Sequence, residues 1–413
     1  MPPTGNIWLG DNDECRRLPY ERTSVSGNGG SGTVLEAPVI GDRWPSRPVP
    51  SADEQRRLER LKAALLTDGL KVHQDAHVAL VGDEGLLTSH EYPTTGGLTL
   101  DLGSAVLVNA PVDEWFCDQA DHELRVVDGQ LVIVDDLGEA HMVHGHVPLP
   151  GFLETRTTFG LVTETAFSHA DRVRLSPIDG CAYRCDYCDM PSVGYQQYDL
   201  DALLAALKVA LADPMLPPRH VMISGGSPRA RHVDWFEEII LGVTAACPLP
   251  LDVMMSAIPG RADVVDHLVD GGVAGFSINM ELFTPDASEL YIRGKHRHAR
   301  PGYDAFVTRA VERLGQTGAV RSLIIGGLEA HDETLAGVRH IASLGADPVL
   351  SPFRPAERTV LEQRRPPTAS EMLRLLADAR EVVADAGVHL GPRCIPCQHN
   401  TLTFPWDVRP DAA

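Results

Sequence analysis

Basic residues are scarce in this chain: 36 Lys and Arg stand against 57 Asp and Glu over 413 residues, a formal charge of −21. Proteins that grip nucleic-acid phosphates cluster the opposite charge, so the balance argues against nucleic acid as partner and for a small-molecule substrate. Long apolar runs are also missing. None approaches the roughly 18 residues that cross a bilayer, and the N-terminus does not read as a basic, apolar, small-residue signal, so no membrane partner and a cytoplasmic location are expected. Cysteine is sparse, with eight in all. In a reducing compartment, cysteines that cluster are metal ligands or catalytic groups rather than disulfides.

What is present falls into blocks. Residues 1–52 are rich in Gly, Pro and Ser ("SVSGNGGSGT", "DRWPSRPVPS") with little periodicity and are expected to be extended chain, in part disordered. Residues 53–150 read as an accessory unit. It comprises one amphipathic helix in "SADEQRRLERLKAALL", capped by Ser51, then short β-type runs from "HVALVG" through "LTLDLG", "SAVLVNA", "ELRVVDG" and "QLVIVDD" to "AHMVHG". A linker around "HVPLPGF" ends it. Over 165–388 strand-like and helical segments alternate strictly, with strands at "RVRLSPI", "HVMISGG", "LDVMMSA", "GFSINME", "VRSLIIGG" and "DPVLSPFRP". Six such units mean parallel strands with crossover helices, as an open doubly wound sheet or as a partial barrel. In both, ligands bind at the C-terminal edge of the strands, where "SGG", "INME", "IGGLE" and "SPFR" fall. Residues 389–413 form a cysteine-containing tail.

Three of the eight cysteines crowd into "CAYRCDYC" as Cys181, Cys185 and Cys188, on the loop after the first strand of this series. Thiolates at i, i+4 and i+7 on a compact loop can converge on one polynuclear centre, whereas a mononuclear zinc site takes a fourth ligand and usually shows two separated pairs. Three ligands leave one iron of a [4Fe–4S] cube open. The spacing, with the aromatic Tyr187 before the last cysteine, resembles the signature of the radical S-adenosylmethionine (SAM) superfamily, in its biotin-synthase-like form, over roughly 171–353. The bland alternatives are a zinc knuckle or three unrelated cysteines. The resemblance implies an α/β fold, a partial (β/α)6 TIM-like barrel with the N-terminal β-rich accessory domain added to it. It also implies an enzyme in which SAM chelates the open iron and is cleaved to methionine and a 5′-deoxyadenosyl radical that takes hydrogen from a small-molecule substrate. An electron donor such as flavodoxin or ferredoxin is the implied partner. Secondary metabolism, meaning natural-product biosynthesis, is suggested by the unfamiliar N-terminal module alone.

By the same resemblance Ser224, Gly225, Gly226 and Ser227 stand where the family has a GGE-type turn that meets the methionine amino group, with Ser227 in place of the usual Glu. Outside this context "SGGSP" would read as a tight turn. Asn279 and Glu281 resemble the N-x-(D/E) pair aimed at ribose hydroxyls or substrate; a helix cap or surface group is the plainer reading. Gly326 and Gly327 match the Gly-rich strand end that packs along the adenine. Arg293 and Lys295, in a basic loop whose plainer reading is a solvated surface, and Arg354 at the barrel mouth are candidate anion or substrate contacts. Glu329 is read as a partner of Arg354 or as the cap of a helix starting near Asp332. Cys394 and Cys397, in "PRCIPCQHN", are candidate ligands of an auxiliary iron–sulfur cluster at the barrel mouth, completed by His399 or a residue from another segment and presented on a loop stiffened by Pro392 and Pro396. A zinc half-site, a redox dithiol and a radical-quenching cysteine are the alternatives, and radical sulfur insertion is the rival reaction. A non-catalytic iron–sulfur or zinc protein is the rival of another class. Cys15, Cys117 and Cys247 read as isolated, buried thiols.

Overall fold

A computed structural model describes residues 49–82, 85–88, 96–296 and 300–408. Nearly all of the segment read as extended, and Cys15 with it, lie outside the described residues.

Seven strands make the main sheet, paired in the order of the chain. They are β1 (Ala166–His169), β2 (Arg172–Leu175), β3 (His220–Ile223), β4 (Leu251–Met255), β5 (Gly275–Ile278), β6 (Val320–Gly326) and β7 (Asp347–Pro352). β1 runs antiparallel to β2, and β2 through β7 are parallel. These six parallel strands are the six read from the sequence. Helices follow each of them, Leu200–Leu211, Val233–Ala246, Asp263–Asp270, Arg300–Leu314, His331–Ser343 and Ala369–Ala386, as crossover connections demand. The fold is therefore α/β with a (β/α)6 sheet, and β1 and β7 remain as its two edges.

Both edges are covered, as exposed strand edges in soluble proteins generally are. The tail beyond the last helix runs along β7: Leu402 N–H donates to Leu350 O at 2.9 Å, and Ser351 Oγ donates to Asn400 O at 3.2 Å. A small antiparallel sheet of the N-terminal module (Leu107–Ala110, Leu98–Asp101, Gly145–His146) stands next to it. Asn109 N–H donates to His399 O at 2.7 Å, and Thr99 Oγ1 lies 3.0 Å from His169 Nε2 on β1. The gap between the edges is thus filled by two segments remote from each other in sequence.

The helix read at Ser51 spans Ala52–Thr67. Ser51 Oγ accepts from Glu54 N–H at 3.3 Å. "HVALVG", expected as a strand, is instead a helix, Gln74–Val81, capped by His73. A short apolar run has no periodicity to separate strand from helix, and the cap and the packing under the strand at Glu123–Val127 decide it. One buried apolar cluster runs from Leu58 through β2–β7 to Trp406, so the N-terminal helix, the sheet and the tail share a core.

Candidate active site

The cysteine loop leaves β2 and is held by the turn after β3. Ala182 N–H donates to Ser227 O at 3.0 Å, and Ser227 N–H reaches Cys181 Sγ at 3.3 Å. Tyr183 N–H reaches the same sulfur at 3.4 Å. Gly226 has no alternative here: a Cβ on it would sit 1.6 Å from Gly180 O. The glycines of "SGGSP" let two backbones touch, and their nearest neighbour is the cysteine loop itself. Ser227 has its Oγ 3.0 Å from Ser256 Oγ.

Cys181, Cys185 and Cys188 are half-buried, unpaired and line one cavity of about 600 Å³. Burial pushes the Cys188 thiol up to about 12, and Cys185 also rises well above the ordinary thiol range through burial and the nearby Glu281 carboxylate. Thiolates persist in such a place only against a cation, and with backbone N–H groups already aimed at Cys181 the donor set suits an iron centre.

Glu281 follows β5 in a left-handed backbone conformation, φ 69°, where a non-glycine residue is strained. Its carboxylate accepts from Tyr187 Oη and from Lys295 Nζ, each at 2.5 Å. Burial alone would lower the Lys295 ammonium; Glu281 overrides it and raises it. Burial and the same carboxylate hold the Tyr187 phenol protonated. The aromatic of the cysteine motif, the acidic residue of "INMEL" and the lysine of the basic loop thus form one unit beside the cysteines. Asn279 also lines the cavity, with Oδ1 accepting from Ser277 Oγ at 2.9 Å and from Leu323 N–H at 3.3 Å.

Other expected residues stand elsewhere. A Cβ on Gly326 would meet Met372 of the last helix at 2.5 Å, and Gly327 has φ 96° with Pro367 2.8 Å from its Cβ position, so helix packing accounts for the first and backbone conformation for the second; Ile325 is a residue of that strand end lining the cavity. Arg293 is exposed on the outer face of the cysteine loop, 3.4 Å from Asp186. Arg354 borders the cavity, but its guanidinium donates to Gly96 O at 2.6 Å, Asn109 O at 2.9 Å and Asn109 Oδ1 at 3.2 Å, strapping the N-terminal module to β7. Glu329 neither meets Arg354 nor caps the helix at His331, whose N-cap is Ala330. It accepts from Phe283 N–H at 2.8 Å and from Thr284 N–H and Oγ1 at 2.7 Å each, fixing the turn after β5. Cys117 is buried and Cys247 half-buried.

The expected position of Cys394 and Cys397 is corrected. They lie at the N-terminal edge of the sheet, opposite the mouth, with Cys397 Sγ 3.4 Å from Nε2 of His220, the first residue of β3. The last helix delivers the chain to that end, and Arg393 anchors it there on Asp347, the first residue of β7, at 2.7 Å. His399 is not drawn to the pair: Nδ1 meets Pro396 O at 2.8 Å, and its ring lies against His169 at 4.1 Å.

The charged interior is not among the expectations drawn from the sequence. Arg172 and Arg174 on β2, Asp252 on β4 and Arg321 on β6 all line the cavity, and Arg321 pairs with Asp252 at 2.9 Å. The signal was there in "RVRL", "LDVMM" and "VRSLII", where a charged residue takes an alternate position in a buried strand. The cavity runs from the three cysteines at one end to Cys394 and Cys397 at the other.

Residues 175–342 match the family model of the radical SAM superfamily. These residues form a radical SAM domain. The family that this model describes uses a [4Fe–4S] cluster and SAM. Among solved structures it is similar to methylornithine synthase (15% identity, 53% of this chain and 70% of that one, TM-score 0.41). It is similar also to the FeFe-hydrogenase maturase HydG from Carboxydothermus hydrogenoformans (13%, 55% and 55%, 0.42). Coproporphyrinogen III oxidase from Escherichia coli is a third (16%, 53% and 54%, 0.37). The chain spans about half the length of the last two. No curated protein matches it in sequence. Among the described residues no helix is long and apolar enough to cross a membrane.

Proposed function

We propose that the enzyme abstracts a hydrogen atom from a small polar molecule held inside the barrel, between the cysteine loop and the charged residues below it. The observation that carries this reading is the single cavity of about 600 Å³, within the roughly 300–1,000 Å³ of small-ligand sites, that has three thiols at one end and Arg172, Arg174 and the Asp252–Arg321 pair on its wall. Cys181, Cys185 and Cys188 would hold the cluster, which when bound supplies the electron that splits SAM. Tyr187, Glu281 and Lys295 stiffen the loop beside it, Asn279 and Ser224 present polar groups to the cavity, and Arg172 and Arg174 suit an anionic group of the substrate. The N-terminal module and tail shut the side of the open sheet, keeping a radical away from solvent.

The reductant is proposed to dock on the outer face of the cysteine loop. A shallow pocket there is lined by Arg184, Arg293 and Arg358, all exposed, on a molecule that is acidic overall. Flavodoxin- or ferredoxin-type donors, if acidic, match that patch. Radical sulfur insertion is the second reading, because Cys394 and Cys397 open on the same cavity; sulfide lost per turnover distinguishes it.

The test is anaerobic reconstitution. Reduced wild-type enzyme is expected to form 5′-deoxyadenosine from SAM and Cys185→Ala to form none, since each thiolate holds one iron. Undiminished 5′-deoxyadenosine from Cys185→Ala would overturn the assignment. Arg174→Met is expected to keep uncoupled SAM cleavage while losing its stimulation by substrate.

A further inference from the structure

Four side chains from three remote segments meet at the N-terminal edge of the sheet. Asp171 lies in the turn between β1 and β2, His220 opens β3, and Cys394 and Cys397 come from the tail. Their ligand atoms all lie within 4.8 Å of one another. Cys397 N–H donates to Cys394 O at 3.1 Å, the tight turn that aims two thiols of a C-x2-C pair in one direction. Asp171 is 8% exposed, and its carboxylate is used on one side only: Oδ2 accepts from Arg219 Nε at 2.7 Å, while Oδ1 is buried without a partner among the described residues. A buried carboxylate oxygen without a partner is costly and marks a missing ligand.

We infer that Asp171, His220, Cys394 and Cys397 form a closed, four-coordinate site for one divalent first-row ion of the zinc type, which staples the tail to the sheet and seals the lower end of the cavity. The donor set is two thiolates, one imidazole and one carboxylate, the mixture that zinc accepts. Metal–sulfur and metal–nitrogen bonds of about 2.3 and 2.1 Å at tetrahedral angles place S and N about 3.6 Å apart; Cys397 Sγ and His220 Nε2 are 3.4 Å apart. An iron–sulfur cube would interpose its own core and hold its ligand atoms further apart than this group stands. With four protein ligands no coordination position is left for substrate, so the ion is structural. Arg219, hydrogen-bonded to Asp171, orients the carboxylate.

The site is tested apart from the SAM chemistry in full-length protein carrying Cys181→Ala, Cys185→Ala and Cys188→Ala, purified without metal and titrated with Co2+. The expected result is one equivalent bound, with visible bands of tetrahedral intensity and a thiolate-to-cobalt charge-transfer band. Adding Cys394→Ser and Cys397→Ser should abolish both. His220→Gln and Asp171→Asn, near-isosteric changes that keep the fold, should each weaken binding by about 10-fold or more. Zn2+ should raise the melting temperature of the parent and leave the double serine variant unmoved. Absence of uptake, a weak octahedral spectrum, iron retained together with acid-labile sulfide, or unchanged affinity in the His220 and Asp171 variants would each overturn the inference.

Discussion

Glu281 concentrates several demands in one residue. It occupies a strained backbone region, accepts from Tyr187 and Lys295, and is only 14% exposed on its side chain. Replacing it with Gln leaves Lys295, 17% exposed, as a mostly buried cation without its counter-charge. Removing one partner of a buried pair costs about 3–5 kcal/mol, and loss of a hydrogen bond to a charged group about 1.5–3. Glu281→Gln is therefore expected to destabilise the protein by about 3 kcal/mol and Tyr187→Phe by less, measured by urea unfolding. Equal effects in the two variants would show that the ion pair is not what holds the loop.

Between elements, the decisive contacts are those that lock the cysteine loop above and the tail below. Gly226→Ala would drive a methyl group into Gly180 O, and backbone cannot yield there without moving Cys181. Low iron content after reconstitution, with secondary structure retained by circular dichroism, is the expected outcome. The tail is pinned by Lys62, wholly buried in the N-terminal helix, whose Nζ donates to Gln398 O at 2.9 Å and Thr403 O at 2.8 Å. Burial lowers its ammonium to about 7, against about 10.4 for an exposed lysine. Between those values the unfolded chain carries the proton and the folded chain does not, so stability rises as pH climbs from about 7 to 10, and the full penalty applies below 7. Melting temperatures across that range should show wild type gaining on Lys62→Met as pH rises; a constant difference would mean that the ammonium stays charged in the fold.

For the whole molecule, the distribution of charge matters more than its sum. An excess of 21 negative charges would repel an acidic reductant, yet Arg184, Arg293 and Arg358 surround the outer face of the cysteine loop. Reversing all three to Glu is expected to slow reduction by flavodoxin at least about 10-fold and to remove its dependence on ionic strength, since steering acts on the association rate. Reduction by dithionite should be unaffected. Stopped-flow bleaching of the cluster with each reductant checks both statements.

The sequence by itself determined what depends on short range: the six strand and helix alternations, the capped helix at Ser51, and three thiols on one loop at a spacing that can converge on one centre. Strict alternation admits few topologies, because parallel strands require crossovers of one hand. The tertiary structure decided which remote residues meet. Glu281 finds Tyr187 across 94 residues and Cys397 finds His220 across 177, and both contacts follow from strand order and from the end of the sheet to which the last helix returns the chain. Arg354 and Glu329 carry the residue types of a ligand clamp, yet they serve as a strap and a turn lock because backbone carbonyls and amides take up their hydrogen bonds. Side-chain type is written in the sequence, but the partner that uses up its hydrogen bonds is set only when the chain has packed.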